Sequence, residues 1–141
     1  MILYLDTSAL VKLVVEERGS AAVDALVATT EYAVSSVIAY AECRSAIARA
    51  GQARRVDAAA AVRSLDRVWD AVQSLDVDLR LSARAGELAS RHLLRAMDAL
   101  HLASALEVVA PELPVAFATF DRALARAARA ERLSTPIAAD A

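Results

Sequence analysis

Short, unbroken apolar runs alternate along this chain with longer stretches in which apolar positions recur every three or four residues. Ile2-Leu3-Tyr4-Leu5 and Val115-Ala116-Phe117-Ala118-Thr119 are such runs. Apolar on successive positions rather than every second one, they read as strands buried on both faces. Tyr32-Ala33-Val34-Ser35 and Val72-Gln73-Ser74-Leu75 are shorter strand candidates. Helical spacing predicts helices over residues 8–15, 20–29, 37–50, 52–71, 78–90, 97–109 and 121–130. Ser36 is placed to cap the third of these, and Gly51 to stop it. Pro111 and Pro114 bracket a turn, and the tail from Ser134 is read as a last edge strand. Strands alternating with helices imply an α/β fold, a parallel sheet of four to five strands sandwiched by helices. The most apolar strands, 2–5 and 115–119, are expected at its centre. No linker, repeat or low-complexity tract divides residues 1–141, so they are read as one domain.

Composition narrows the class. A chain of 141 residues that is 57% hydrophobic and 24% charged suits a compact core and argues against disorder. A domain of this size buries roughly two-thirds of its surface on folding and needs no staples. Cys43 is the single cysteine, which leaves no internal disulfide and no cysteine-based zinc site; it is read as a small packing residue. The four-residue apolar run after Met1 has no basic start and does not read as a signal peptide, and no apolar stretch is long enough to span a bilayer. The expectation is a cytosolic protein. A net charge of −2 gives no global field to attract nucleic acid. Lys12 is the only lysine among the cations; the arginines suit forked contacts to phosphate, or simply reflect an Arg- and Ala-rich coding bias.

The chemistry lies in four acids set in apolar company. Asp6 ends the first strand where a helix begins, Glu42 lies inside Val37-Ile38-Ala39-Tyr40-Ala41-Glu42, Asp98 inside Ala96-Met97-Asp98-Ala99-Leu100-His101, and Asp121 follows Phe117-Ala118-Thr119-Phe120. Each aspartate falls at a predicted helix start and has an ordinary use as an N-cap. Glu42 does not: it falls on the buried stripe of its helix, where only an ion pair with Arg44 or Arg49 would make it ordinary. Taken together the acids say more. In a parallel sheet Asp6 and Asp121 emerge on the same edge, Asp98 opens the helix before the last strand, and Glu42 sits about one turn into the helix after the second. Four carboxylates converging on one cleft repel one another unless a cation joins them, and their oxygens suit Mg²⁺ or Mn²⁺. The matching reaction is metal-assisted hydrolysis of a phosphodiester.

These residues also carry a resemblance. Met1-Ile2-Leu3-Tyr4-Leu5-Asp6-Thr7-Ser8-Ala9-Leu10-Val11-Lys12 resembles the opening of PIN-domain ribonucleases of the VapC toxin type. Ser35-Ser36-Val37-Ile38-Ala39-Tyr40-Ala41-Glu42, Met97-Asp98-Ala99-Leu100-His101-Leu102-Ala103 and Ala118-Thr119-Phe120-Asp121-Arg122-Ala123-Leu124 resemble that family's later motifs, in order. The resemblance implies that Asp6, Glu42, Asp98 and Asp121 form a catalytic quartet holding Mg²⁺ or Mn²⁺, with Asp6 and Asp98 as the most direct ligands. It implies supporting hydroxyls at Ser8 and Thr119. It further implies RNA as substrate, a cognate antitoxin as partner and a homodimer.

Competing readings stay open at this point. A phosphatase also places an aspartate after its first strand, but wants another two residues later, where Ser8 stands; a receiver domain wants a paired acid that is absent. A non-catalytic RNA- or protein-binding domain needs its acids only as helix caps. His101, one turn after Asp98 and beside apolar neighbours, is read as structural rather than as ligand or base. His92 is read as a surface or interface residue, Asp76 and Asp78 as local caps, and Tyr40 and Trp69 as core or dimer contacts. Arg91 and Arg95, and Arg44, Arg49, Arg54 and Arg55, are placed either to meet phosphates or to line solvated helix faces.

Overall fold

A computed structural model describes residues 1–137. Its order is β1 (Ile2–Leu5), α1 (Thr7–Val14), α2 (Ser20–Ala28), β2 (Tyr32–Ser36), α3 (Ile38–Gln52), α4 (Ala58–Ala71), β3 (Gln73–Leu75), α5 (Leu79–His92), α6 (Ala96–Glu107), β4 (Val115–Ala118) and α7 (Arg122–Ala130). All strand pairs are parallel, in the order β3-β2-β1-β4. The chain steps outwards from β1 to β2 to β3, then crosses back to place β4 on the other side of β1. A parallel sheet opens a crevice beyond the carboxyl ends of its strands where the winding reverses, here between β1 and β4.

β1 and β4 bury both faces, as their continuous apolar sequence predicts. On β1, Tyr4 packs with Phe117 of β4 and with Leu81, Leu102 and Leu124 of α5, α6 and α7. Leu3 and Leu5 point the other way, to Leu10, Ile47 and Leu65 of α1, α3 and α4. Tyr4 and Phe117 stack with centroids 5.3 Å apart, which ties β1 to β4 beneath the crevice. Cys43 lies buried in the second layer, and burial pushes its thiol up to about 12, in keeping with a packing role.

Several sequence expectations need correction. β4 is not central: it is the outer strand of the ladder, and β1 alone of the two most apolar strands has neighbours on both sides. It reads like an interior strand because helices cover both its faces, and its open edge meets Ser134 (Phe117 N to Ser134 O, 2.7 Å). That contact is a single bridge, Ala116–Ser134, not a fifth strand within the described residues; the rest of the tail, 138–141, lies outside them. Ser36 lies one residue before the cap position, which Val37 holds, and accepts only a long bond from Ile38 N at 3.4 Å.

Gly51 does not stop α3. The helix continues to Gln52 and ends where Arg54 turns left-handed (φ 56°); α4 starts afresh at Ala58, capped by Asp57, which accepts from Ala60 N at 3.1 Å. Gly51 is there for space. A Cβ on it would stand 2.7 Å from the Cβ of Ala58, so glycine lets α3 and α4 approach at their corner. Alanine is the better helix former by about 1 kcal/mol. Gly51→Ala should nonetheless destabilise, by about 1–3 kcal/mol as for other overpacked contacts. Thermal unfolding checks the sign, since propensity alone predicts a rise in melting temperature.

Candidate active site

The crevice beyond β1 and β4 contains a cavity of about 330 Å³. Its lining includes Asp6, Thr7, Ser8, Lys12, Glu42, Arg95, Asp98, His101 and Asp121. All four acids singled out in the sequence therefore reach one cavity, from β1–α1, α3, α6 and β4–α7.

Asp6 is the most enclosed of the four acids, 4% exposed. The ladder carries on past β1 to hold its backbone, Asp6 N donating to Ala118 O (3.2 Å). Its side chain caps α1 and does more. Oδ1 accepts from Ala9 N (3.0 Å) and Ser8 Oγ (2.6 Å), and Oδ2 from Thr119 Oγ1 (2.5 Å). Ser8 Oγ in turn accepts from Phe120 N (2.9 Å), which joins the ends of β1 and β4. Burial pushes the Asp6 carboxyl above its ordinary range, against the opposing pull of Ser8, Thr119, the field of His101 and Ala9 N–H. One side chain thus both caps α1 and lines the cavity.

Glu42 is not paired with arginine: Arg44 reaches Tyr40 and Arg49 reaches Ser45. Its Oε1 accepts from Thr7 Oγ1 (2.7 Å) and meets His101 Nε2 at 2.8 Å. Burial works to raise the Glu42 carboxyl, but the hydrogen bonds from His101 and Thr7 and the field of His101 outweigh it and hold it below the ordinary range. Asp98 is no cap. Arg95 holds the cap position of α6 and Asp98 lies in the first turn, where its Oδ2 accepts from Arg95 Nε (3.2 Å). Asp121 caps α7 through Leu124 N (2.8 Å), and its Oδ2 lies 4.0 Å from Arg95 Nη2.

Comparison with known proteins fits this arrangement. The PIN domain family profile matches residues 3–130. Ribonuclease VapC49 of Mycobacterium tuberculosis strain H37Rv is 39% identical over 132 residues, covering 92% of this chain and 90% of the relative. The chain belongs to the PIN-domain family, among its VapC members. Solved structures share the fold of this PIN domain. They include PAE2754 from Pyrobaculum aerophilum (TM-score 0.68, 24% identity, 90% of this chain and 79% of that one) and a toxin–antitoxin complex from Klebsiella pneumoniae (TM-score 0.67, 18% identity, 96% and 98%).

In this PIN domain the cavity holds no thiol, and the two nitrogens of its one imidazole, His101, are already paired; what remains for a hard divalent cation is carboxylate and hydroxyl oxygen. Among the described residues no three His, Cys, Asp or Glu side chains stand close enough to form a finished cage. What the cavity offers is unused capacity: neither Oε2 of Glu42 nor Oδ1 of Asp98 accepts a hydrogen bond from a described residue. The donors fit the ion by their chemistry, and Arg95 stands beside two of them.

Sequence reasoning passed over Thr7 and Tyr4, and read His101 as structural although it lines the cavity. The only local clue was His101 standing one helical turn after Asp98, on the same face. Other residues go elsewhere. Arg91 and His92 both meet Glu131 at 2.7 Å; the bond from His92 outweighs partial burial, and with Arg91 it holds that carboxyl below the ordinary range, tying α5 to the end of α7. Asp78 caps α5. Tyr40 and Trp69 pack edge to face at 5.5 Å, and Tyr40 donates to Asp66. A larger groove, about 650 Å³, lies between α3 and α4, lined by Arg44, Ile47, Ala58 and Val62 among others, and holds none of the four acids.

Proposed function

We propose that this VapC-type PIN domain is an endoribonuclease dependent on Mg²⁺ or Mn²⁺ and the toxin of a toxin–antitoxin pair. The observation that carries the reading is the meeting of Asp6, Glu42, Asp98 and Asp121, from four separate segments, around one cavity at the reversal of the sheet. The VapC relative, named a ribonuclease, supports the substrate class, and the Klebsiella neighbour, titled a toxin–antitoxin complex, supports the kind of partner. We extend the reading to a cytoplasmic homodimer.

The four acids hold the ion in this reading, which when bound acidifies water and offsets charge developing on the phosphate. The chain's own residues do the rest. Asp6 is locked by Ser8, Thr119 and the amide of Ala9, so its oxygens are preorganised rather than drawn in. Arg95 is 84% exposed at its side chain and stands over Asp98 and Asp121. A surface pair of this kind contributes little, about 0–1 kcal/mol. Its guanidinium is therefore free to leave the acids and meet an RNA phosphate with a forked contact.

The test is incubation of the purified chain with total RNA and Mn²⁺, with and without chelator, beside Asp98→Asn. Cleavage should need the metal, and Asp98→Asn should lose it with the fold intact by circular dichroism. Chelator-resistant cutting, or full activity of Asp98→Asn, would overturn the reading. The non-catalytic alternative keeps some support, because Asp6 and Asp121 do cap helices; Glu42 and Asp98 do not, and it leaves both unexplained.

A further inference from the structure

We propose that His101 is a positioning residue, neither ligand nor base, whose Nε2–H fixes the Glu42 carboxylate so that its second oxygen is the one left for a cation. The inference rests on the metal-dependent reading above and adds a residue that reading does not use.

The geometry is closed on three sides. His101 is 2% exposed, and both ring nitrogens have partners: Nδ1 lies 2.9 Å from Tyr4 Oη, and Nε2 lies 2.8 Å from Glu42 Oε1 and 3.1 Å from Thr7 Oγ1. Thr7 has one hydroxyl proton, and its shortest contact, 2.7 Å, directs that proton to Glu42 Oε1. A bare ring nitrogen and a carboxylate oxygen at 2.8 Å would be two acceptors in repulsion, so the proton between them sits on Nε2. In the neutral ring Nδ1 is then the acceptor and Tyr4 O–H the donor. A phenol carries its proton at neutral pH and has it to give. In the charged ring Nδ1–H donates to Tyr4 Oη instead, and Nε2–H is unchanged. The contact to Glu42 therefore holds in either state of the ring.

The consequence falls on Glu42. Its Oε1 takes two donors, which fixes the rotation of the carboxylate, while Oε2 takes none from the described residues. Tyr4 is itself wedged by its stack on Phe117 and its edge contact with the His101 ring, at 5.9 Å between centroids. The rigid sheet is thus linked through Tyr4 and His101 to a glutamate on α3. Outer groups that orient a metal's ligands in this way are worth roughly 10- to 100-fold in metal affinity.

The experiment measures Mn²⁺ binding by calorimetry for wild type, His101→Ala, His101→Gln, Tyr4→Phe, Glu42→Gln and the pair His101→Ala with Glu42→Gln. His101→Ala should bind Mn²⁺ roughly 10- to 100-fold more weakly and regain RNA cleavage at high Mn²⁺. His101→Gln, which keeps an N–H for Glu42, should recover part of the affinity, and Tyr4→Phe should lose only a few-fold. The double variant should bind no worse than Glu42→Gln alone. Mn²⁺ affinity within twofold of wild type in folded His101→Gln and His101→Ala, or additive losses in the double variant, overturns the proposal. Long-range ¹H–¹⁵N spectra of the metal-free protein add a readout independent of the ion. A protonated Nε2 supports the assignment; a bare Nε2 overturns it. A wild-type chain with protonated Nε2 that binds no Mn²⁺ supports the hydrogen-bond assignment while overturning the metal-dependent reading.

Discussion

Asp6→Asn is expected to raise the melting temperature of the metal-free protein at neutral pH while removing metal-dependent cleavage. Burial raises the Asp6 carboxyl above its unfolded value of 3.8. A carboxyl raised in the folded state contributes stability that is fully present below the unfolded value. That stability is lost as pH rises through the folded value, so at pH 7 the ionised group opposes folding. Asparagine has nearly the shape of the neutral acid. Its oxygen keeps Ser8 and Ala9 N–H as donors, and its amide turns to Thr119 Oγ1. A gain of about 1 kcal/mol corresponds to a rise of about 3–5 °C for a domain of this size. Scans at pH 7.5 should show that rise, and it should shrink as pH falls and the wild-type group takes up its proton. On the reading proposed here cleavage falls by more than the roughly 10- to 100-fold typical of an outer partner, because an oxygen that holds the ion has been lost. A lower melting temperature at pH 7.5 would show that the hydrogen bonds to the ionised form outweigh its desolvation.

Stability and the proposed function pull apart at Asp6, and that conflict is what made the candidate site visible in the sequence. A carboxylate directly after an apolar strand is a local signal, and Asp6 and Asp121 gave it. Glu42 was visible for a related reason, as a charge on the buried stripe of a helix where no helix cap could account for it. The cleft followed, since parallel strands send their carboxyl ends to one edge. What stayed hidden was non-local. The bonds from Tyr4 and Thr7 to His101 span 97 and 94 residues, and no periodicity in one segment reports on another so distant. Gly51 failed as a helix stop for the same kind of reason: its use is set by Ala58 on the next helix, not by its own φ. Asp98 read as a cap because it stands near a helix start, yet α6 begins two residues earlier, at Ala96, and its cap residue, Arg95, sends its own side chain to the acids. The apolar content of β4 reported its burial correctly and its position in the sheet wrongly, because helices on two faces bury an outer strand as fully as a central one.

Mn²⁺ should stabilise the wild-type protein strongly, and the acids should decide by how much. An ion that binds only the folded chain adds about 2.7 kcal/mol at a hundredfold excess over its dissociation constant. At about 3–5 °C per kcal/mol that is a rise of about 10 °C, well outside scatter in a thermal scan. The sign follows from the site. Asp6 is buried with hydroxyl and amide donors but, among the described residues, no cation in contact, and a bound divalent ion would supply the missing charge. Asp98→Asn and Asp121→Asn each remove a carboxylate from the same cavity and should lose most of the rise. Arg95→Gln separates the ion from the pair it must displace. Arg95 competes for Asp98 and Asp121, at 3.2 and 4.0 Å, so Arg95→Gln should take Mn²⁺ as tightly as wild type or somewhat more so, yet cleave RNA with a raised KM. Should Mn²⁺ leave the wild-type melting temperature unmoved, the four acids do not act together on a cation, and their remaining uses are to cap helices and to hold the β1–β4 crevice in shape.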